Sequence, residues 1–506
     1  MKKIMKNILA TIIAIFILLF SWITLTAITT KNSPVFNYNI IIVIIGCIIY
    51  IGLAILTYKK IIPKLAKNKY IQYFLFALFG IISIIVSYKL RLNPTWDMGR
   101  VFEIAKNYME NGTIVDMYLY EYQNNIAITI IDIIVLKFFY AIKFTDYVTA
   151  ITLFNAIVVT LTVIFLYYTV NKMYGKEKAL MTLIICVLTT PLYLHSAIYY
   201  TDSMSMLACI FALFLYVNIR EEQNKTKNYI MQALLGITLI LCMKIKLTAI
   251  FIMIAIIMCE ILNYKFKDII KNFKIVVPSA IIFLIIYTIV INHYFINNKD
   301  KLNEYKMPVE HWLLIGSVNE GGFNQELYEY TKGYPTYDER KQADILKIKE
   351  VYKEYSIKTF IQHINKKIKF TWTDGTYFAP EKLRREPVQR CGLHELVSID
   401  GQKTYLYKYF PQVMHVSMLI FIVINAIYIF RKKEYEKDDT FLMIAIFGLA
   451  VFLLLWENRS RYLLTYVPIM IILETNGIEK ISNIEFKKIK STLKNRKEKN
   501  NEKEDR

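Results

Sequence analysis

The sequence predicts an all-α polytopic membrane protein with about 12 transmembrane helices (11–13), interfacial helices in the first large outer loop and a mainly helical extracytoplasmic loop. Apolar residues make up 55% of the 506 residues, and the mean hydropathy is +0.36. They gather in windows of about 20 residues, the length that crosses the hydrocarbon of a bilayer. A backbone in hydrocarbon must satisfy its own hydrogen bonds, so such windows form helices.

Each predicted span is an apolar segment bounded by polar residues. The spans are 4–27, 38–56, 71–88, 148–170, 179–197, 203–218, 229–243, 247–263, 275–293, 413–430, 440–456 and 462–478. The first span resembles a signal peptide. Its apolar run is long and has no clear small-x-small cleavage site, so we expect it to remain as a membrane helix.

Basic residues gather in the short loops between these spans. The loop 58–70 carries Lys59, Lys60, Lys64, Lys67 and Lys69. Cytoplasmic loops are enriched in Lys and Arg, so we expect a multi-pass cell-membrane protein with both termini in the cytoplasm. These loops and the basic end account for the net charge of +21 without nucleic-acid binding. The heavy use of Lys, Ile and Asn suggests a bacterial source.

The predicted spans divide the chain into five parts. They are an N-terminal transmembrane hairpin (1–57), a core transmembrane module (71–293) with an acidic outer loop (90–147), an extracytoplasmic loop or lid (294–412), C-terminal transmembrane helices (413–479) and a basic cytoplasmic tail (480–506). The lid is too small and too mixed in composition for an independent enzyme domain.

The segment 126–142 is apolar enough to suggest a further span. Counting it as one would place the basic loops on one side of it outside the cell, against the charge bias. It also contains Asp132 and Lys137, which are costly in hydrocarbon. We therefore expect a helix that lies partly in the outer interface or against the bundle.

Two aspartates follow apolar runs on the predicted outer side. Asp97 follows Trp96 and precedes an amphipathic helix over 99–110, and Asp202 lies in a very short turn before the span 203–218. Both fit helix caps, since Asp is favoured at a helix start. The functional alternative is a pair of carboxylates in one cleft, where one accepts a proton from an acceptor hydroxyl or both share a divalent cation (Mg or Mn).

Cations at two predicted outer turns run against the charge bias. Lys244 and Lys246 lie between two spans, and Arg459 and Arg461 follow Glu457 between two others. Such residues anchor helices at the headgroups or pair with one another. They also suit a lipid phosphate, because the arginine fork binds two oxygens at once.

Further candidates are single residues in outer segments. Arg100 is a candidate phosphate ligand, and the candidate substrate contacts are Trp96, Glu457, Tyr462, His311 and Asp374. Asp374 equally fits a β-turn over 373–376. The six cysteines show no disulfide or metal spacing, and no certain cofactor is indicated. No P-loop, G-x-G-x-x-G or G-x-S-x-G pattern occurs.

Four motifs in this order resemble the polytopic GT-C glycosyltransferases, in particular the protein O-mannosyltransferase and aminoarabinose-transferase branches. They are TWDMGRVFEIAKNYMENG after an early span, YYTDSMSM, CMKIKLTAI and ENRSRYLLTYVPIMII before the last span. They cover a minority of the residues but extend from the third predicted span to the last.

The resemblance implies an enzyme that uses a polyprenyl-phosphate sugar on the outer face of the membrane, with the core module 71–293 as its glycosyltransferase part. Asp97 would be the catalytic carboxylate and Asp202 a supporting or metal-linked acid. Lys246, Arg459 and Arg461 would bind the donor phosphate. In the family a second acidic residue commonly follows the first, whereas here Met98 follows Asp97.

The expected reaction transfers a hexosyl or pentosyl unit to a hydroxyl of a lipid, glycan or protein acceptor in the cell envelope. Direct displacement would invert the anomeric centre. Three alternatives remain open: a polymerase or ligase of lipid-linked glycans, a transporter or flippase, and a non-enzymatic scaffold. A transporter would place polar residues near the bilayer midplane, whereas the charges here gather at the predicted outer ends of the spans.

Overall fold

The computed structural model describes residues 2–114, 116–435 and 438–483. The named elements in these ranges are helices, as the hydropathy pattern predicts. The predicted tail 480–506 lies almost wholly outside the described residues.

Ten helices in the described ranges are long and apolar enough to cross a membrane. They are Lys6–Thr29, Ile40–Leu65, Ile71–Lys89, Gln123–Ala141, Tyr147–Tyr174, Thr201–Ile219, Lys225–Ile245, Val276–Phe295, Thr404–Lys432 and Asp438–Leu455. Lys176–Leu188 and Thr190–Ser196 are long and apolar enough only when taken together, and they are bent by 62°, as in a broken span or a re-entrant loop. A proline lies at the start of the second helix. A proline there breaks the hydrogen-bond ladder and allows the bend.

Two shorter apolar helices complete the predicted set. Leu247–Asn263 is one, and the last helix occupies 467–483. Each of the twelve predicted spans is therefore helical, and the polytopic α-helical fold is confirmed.

Shorter helices lie between these long ones. They are Trp96–Asn111, Tyr118–Glu121, Phe266–Phe273, Lys299–Tyr305, Val309–Ser317, Gln325–Lys332, Tyr337–Glu354, Ile357–Trp372, Ala379–Leu383 and Gly392–Val397. Most of them belong to the segment 294–412, which we call the lid. Its mainly helical character is confirmed.

The helix Ile126–Ala141 is long and apolar enough to span a membrane. Its side chains nevertheless contact residues at the end of a neighbouring span. Asn125, just before it, accepts a hydrogen bond from the Tyr200 hydroxyl at 2.8 Å. Asp132, near its middle, accepts one from the Tyr199 hydroxyl at 2.6 Å. Both tyrosines immediately precede the helix Thr201–Ile219. These contacts with one end of a span support a helix lying across the bundle end, and its interfacial position stays a prediction.

Asp132 is buried next to a hydrogen-bond partner and is not exposed to lipid headgroups. Its side chain is 1% exposed and bonds Tyr199. Lys137 lies over the ring of Tyr108, 4.8 Å from the centroid, on the neighbouring helix Trp96–Asn111. The charged residues of this segment therefore point to partners within the protein.

Two of the contacts between the lid and the bundle lie next to the candidate site. Trp312 stacks on Trp456 with ring centroids 6.0 Å apart and planes 3° from parallel. The Lys367 ammonium donates to the carbonyls of Gly316 at 2.5 Å and Trp456 at 2.9 Å. Trp456 immediately precedes Glu457, so this attachment holds the lid next to the candidate arginines.

The second attachment is a short pairing of two extended segments, which we call the latch. Leu92 forms an antiparallel bridge with Pro387. The amide of Asn93 donates to the Glu386 carbonyl at 2.9 Å, and the amide of Val388 donates to the Arg91 carbonyl at 3.1 Å. The latch therefore fixes residues 386–388 of the lid beside the residues that lead into Trp96.

Candidate functional site

Asp97 lies in the first turn of the helix Trp96–Asn111, and the N-cap is Thr95. The chain turns sharply there, because Trp96 has a φ of 49° and a Cβ on Gly99 would lie 2.8 Å from the Pro94 carbonyl oxygen. The interpretation of Asp97 as the N-cap is therefore wrong. The helix ends as predicted at Gly112, which has a left-handed φ of 71°.

A chain of hydrogen bonds holds the Asp97 carboxylate. The Tyr118 hydroxyl donates to Asp97 Oδ1 at 2.9 Å. Asn125 Nδ2 donates to the Tyr118 oxygen at 2.7 Å, and the Tyr200 hydroxyl donates to Asn125 Oδ1 at 2.8 Å. Burial, with Tyr200 and Asp97 nearby, raises the pKa of Tyr118, so it stays a neutral donor. The last member of this chain of hydrogen bonds, Tyr200, lies two residues before Asp202 in the sequence.

Asp202 is buried in the first turn of the helix Thr201–Ile219, where Tyr200 is the N-cap. The N-cap interpretation is therefore wrong here too. Lys246 Nζ donates to Asp202 Oδ1, and Arg461 Nη1 lies 3.7 Å from Oδ2. Asp202 thus joins two of the predicted phosphate ligands in one cluster, which the sequence had left open.

Arg459 and Arg461 lie beside Ser460, which ties this turn to the lid. The Ser460 hydroxyl donates to Asp374 Oδ2 at 2.7 Å. The Arg461 guanidinium lies 5.3 Å from the Trp96 ring centroid. The Arg459 guanidinium lies 4.6 Å from the Phe378 ring, so it reaches toward the lid.

Several buried N–H donors of this region have no hydrogen-bond partner within the described residues. They are Trp96 Nε1, Arg459 Nε, Arg461 Nε and Arg461 Nη1. Buried polar groups are normally paired, and each unpaired one costs about 1–3 kcal/mol. Arg461 Nη1 has only the Asp202 carboxylate nearby, at 3.7 Å. Buried N–H donors without a hydrogen bond suit an anion with several oxygens.

Glu457 and Tyr462 belong to the same region. The Tyr462 hydroxyl donates to Glu457 Oε1 at 2.8 Å, and Lys246 Nζ lies 5.2 Å from the Tyr462 ring centroid. Burial raises the pKa of Glu457, although Tyr462, Arg461 and Arg459 oppose this shift. Both predicted substrate contacts therefore lie within the cluster.

Lys382 is a member of the site that the sequence reasoning missed. It belongs to the lid helix Ala379–Leu383, is 4% exposed, and places Nζ 3.2 Å from the Trp96 ring centroid. Burial, with Arg461, Arg385 and Arg459, lowers the pKa of Lys382 to about 5. Its signal was present, since Lys382, Arg384 and Arg385 form a basic run in a predicted outer segment, against the charge bias.

Two of the predicted cations are engaged elsewhere. Arg100 is exposed and pairs with Asp116 at 2.9 Å. Lys244 Nζ lies 5.3 Å from the Tyr287 ring. Neither is placed with the pair of Asp202 and Lys246.

Two other candidate residues, His311 and Asp374, form hydrogen bonds within the lid. His311 Nδ1 is hydrogen-bonded to the Thr331 hydroxyl at 2.8 Å. Asp374 accepts from the Thr376 amide at 2.9 Å and the Phe378 amide at 2.8 Å. Asp374 therefore shapes a turn, as one sequence interpretation had it, and also holds Ser460.

The potential metal ligands of this region are poorly arranged for a divalent cation. No group of three or more His, Cys, Asp or Glu that could hold a metal ion occurs in residues 2–114, 116–435 and 438–483. The Asp202 oxygens face Lys246 and Arg461, whose charges would repel a cation. A cation held by Asp97 or Asp202 stays a prediction.

The arrangement combines two chemical capabilities. Asp97 is a half-buried carboxylate positioned by a neutral phenol. Trp96, Arg459 and Arg461 offer unpaired donors. A carboxylate beside an anion-binding site suits a reaction in which one group gives up a proton while another leaves as an anion.

Solved structures to which this chain is similar include two of ArnT and one of AglB. Structures of ArnT from Cupriavidus metallidurans, bound to undecaprenyl phosphate and in the apo state, are 11% identical, with TM-scores of 0.35 and 0.37. The similarity covers 81% and 80% of this chain and 78% and 77% of those chains.

The archaeal oligosaccharyltransferase AglB from Archaeoglobus fulgidus, in complex with an inhibitory peptide and a dolichol-phosphate, is 12% identical with a TM-score of 0.41. The similarity covers 85% of this chain and 52% of AglB, so the chain spans about half of that protein.

None of the curated proteins matches the chain. A family model matches residues 1–481 and is described as "Conserved hypothetical integral membrane protein". This match covers nearly the whole chain and agrees with its apolar helices. The protein is therefore a member of this family of integral membrane proteins.

Proposed function

We propose that this protein is a membrane glycosyltransferase that moves a sugar from a polyprenyl-phosphate donor to an acceptor hydroxyl on the extracytoplasmic side of the membrane. The observation that carries the proposal is the set of unpaired buried donors on Trp96, Arg459 and Arg461. Together with Lys246 they suit the phosphate of such a donor. Undecaprenyl phosphate and dolichol-phosphate, bound in the ArnT and AglB structures, belong to this class of lipid.

The proposed reaction is a single displacement at the anomeric carbon. The acceptor oxygen forms a bond to that carbon while the bond from the carbon to the phosphate oxygen breaks. The electron pair of the broken bond stays on the phosphate, and the hydroxyl proton passes to Asp97. Attack opposite the leaving group inverts the anomeric centre.

Each charged residue has a role in this scheme. Tyr118 donates to Asp97 Oδ1 and leaves Oδ2 for the acceptor proton. Arg459 and Arg461 stabilise the charge that develops on the leaving phosphate, as preorganised donors do in other transferases. Asp202 positions Lys246 and Arg461. A Mg or Mn ion, where bound, would add charge stabilisation at the phosphate.

A labelled-sugar assay with the purified full chain tests the proposal. Wild type is incubated with undecaprenyl-phosphate sugars and candidate acceptors, beside Asp97→Asn and a control, Glu103→Gln. Glu103 lies on the same helix as Asp97 but is exposed. We expect transfer to fall about 10²–10⁴-fold for Asp97→Asn, the usual contribution of a general base, and to persist in the control.

Equal transfer by wild type and Asp97→Asn would refute the assigned base. Movement of labelled lipid across a vesicle membrane without any covalent product would instead favour the flippase alternative. Joining of preassembled lipid-linked glycans would favour the polymerase or ligase.

A further inference from the structure

Lys382 differs from the other cations of the site in having no acidic partner. Lys246 donates to Asp202, and Arg461 lies near the same carboxylate. Within the described residues, Lys382 Nζ has no hydrogen-bond or ion-pair partner and lies over the Trp96 ring. The Lys382 amine is therefore available to an acceptor that a ligand brings.

The lid brings Lys382 to Trp96 in a defined register. The helix Ala379–Leu383 precedes the latch by a few residues. The latch pairs 386–388 with 91–93, which lead directly into Trp96. Both sides of the contact between Lys382 and Trp96 are therefore anchored by the same backbone pairing, and Lys382 does not depend on a flexible loop for its position.

The groups facing Lys382 are nearly all positive. Arg459 and Arg461 approach from the turn before the last helix and Arg385 from the lid itself, and Asp97 opposes them. Arg461 also faces Asp202, and Arg385 faces Glu381. Arg461 lies near the same Trp96 ring, at 5.3 Å. An anion that binds the unpaired N–H groups of Trp96 and Arg461 would thus come within reach of Lys382.

We propose that Lys382 is a lid-borne ligand of the donor phosphate, delivered to the arginines by the latch. This inference rests on the proposed function and adds the lid as a part of the phosphate site. Burial and the neighbouring arginines lower the pKa of Lys382 to about 5, so Lys382 is neutral near pH 7 without an added negative charge. A bound phosphate supplies the missing negative charge, so Lys382 takes up a proton when the donor binds.

Binding of undecaprenyl phosphate to the purified full chain tests this inference. The variants are Lys382→Met, which keeps the length without the amine, and Lys382→Arg, which keeps a cation. Arg384→Met is the matched control, because Arg384 belongs to the same basic run but is half exposed and pairs with Glu381 at 2.6 Å. We expect Lys382→Met to weaken binding at least about tenfold, the factor for 1.4 kcal/mol. The arginine variant and the control should stay within about threefold.

Proton uptake gives a second readout that a merely structural lysine would not change. Calorimetry at pH 7 in buffers of different ionisation enthalpy should show uptake of up to one proton per lipid bound by wild type and by Arg384→Met. Lys382→Met should take up none. Undecaprenol, which lacks the phosphate, should bind all variants alike, and inorganic phosphate should not compete at similar concentration.

These outcomes distinguish the role of Lys382 from the proposed function of the protein. If wild type binds the lipid phosphate and Lys382→Met binds equally well with the same proton uptake, the role of Lys382 is refuted and the proposed function stands. If wild type shows no saturable binding, both are refuted. Competition by inorganic phosphate would assign the site to a free anion and overturn the lipid donor.

Discussion

Asp202 and Lys246 form a buried ion pair between the first turn of the helix Thr201–Ile219 and the residue that follows Lys225–Ile245. Their side chains are 8% and 12% exposed. Arg461, from the far end of the chain, lies 3.7 Å from the second carboxylate oxygen. One acid therefore connects two cations from segments that are distant in sequence.

The first prediction concerns the removal of this acid. Asp202→Asn leaves Lys246 and Arg461 buried without their carboxylate, so we expect a loss of about 3–5 kcal/mol in the free energy of unfolding. Lys246→Met should cost less, because Arg461 still faces Asp202. Thermal unfolding of the purified variants in one detergent shows which of the two loses more stability.

An exposed pair provides the comparison. Asp400 pairs with Arg390 at 2.8 Å, and their side chains are 40% and 43% exposed. Asp400→Asn should therefore change stability by less than about 1 kcal/mol. If Asp400→Asn lost more stability than Asp202→Asn, burial would not be what makes the Asp202 ion pair important for stability.

The second prediction concerns the position of Asp97. Tyr118→Phe removes the hydroxyl that donates to Oδ1 at 2.9 Å, so the carboxylate loses its orientation. We expect kcat for sugar transfer to fall about tenfold, equal to about 1.4 kcal/mol, with little change in KM for the donor. Steady-state kinetics with both substrates varied measures this.

Tyr120→Phe is the matched control for Tyr118→Phe. It removes a hydroxyl from the same short helix, but that hydroxyl donates to Asn297 at 2.9 Å. Equal losses in the two variants would indicate a general weakening of the segment rather than an effect on Asp97.

The sequence predicted the fold well because hydropathy alone determines which segments enter a membrane. It also identified Asp202, Lys246 and Arg461 one by one as candidates at predicted outer turns, but it left open whether they meet. It misassigned both aspartates as N-caps, because the caps at Thr95 and Tyr200 use extended backbone without a side-chain hydrogen bond.

Lys382 and Tyr118 were missed for a different reason. Lys382 joins the site through the latch, a pairing between residues almost 300 positions apart. Tyr118 bonds Asp97 only because the outer segment folds back on itself. Neither contact follows from local periodicity, which reports the face of a helix but not its partner.

The third prediction concerns the link between the lid and the arginines. Ser460→Ala removes the donor to Asp374 Oδ2 at 2.7 Å, a hydrogen bond to a charged group worth about 1.5–3 kcal/mol. Arg459 and Arg461 flank Ser460, so we expect weaker binding of undecaprenyl phosphate, measured as Kd on the purified chain. Ser398→Ala, which removes a similar bond to Asp400 at 2.5 Å elsewhere in the lid, should leave Kd unchanged.

The fourth prediction is a pH dependence of stability. Burial lowers the pKa of Lys367 from 10.5 to about 7, against an opposing effect of Glu457. Between pH 7 and 10.5 the unfolded chain binds more protons at this lysine than the folded chain. Stability therefore rises with pH in this window, by up to about 1.4 kcal/mol per unit.

Lys367→Met isolates this effect. The difference in Tm between wild type and the variant, measured from pH 7 to 9, should shift in favour of wild type as the pH rises. A constant difference would show that Lys367 titrates normally. The same variant loses the hydrogen bonds to Gly316 and Trp456, which lowers its Tm at every pH without changing the slope.

The fifth prediction tests the expected orientation of the site. Five of the six cysteines are buried, and only Cys391, in the lid, is partly exposed. If the lid is extracytoplasmic, a membrane-impermeant maleimide should label wild type in intact cells through this thiol, and Cys391→Ser should abolish the label. Cys391 lies just after the latch that holds 91–93, so the side on which it is labelled is also the side of Trp96 and Asp97. Labelling only in inside-out vesicles would place Asp97 in the cytoplasm and remove the basis for an extracytoplasmic donor.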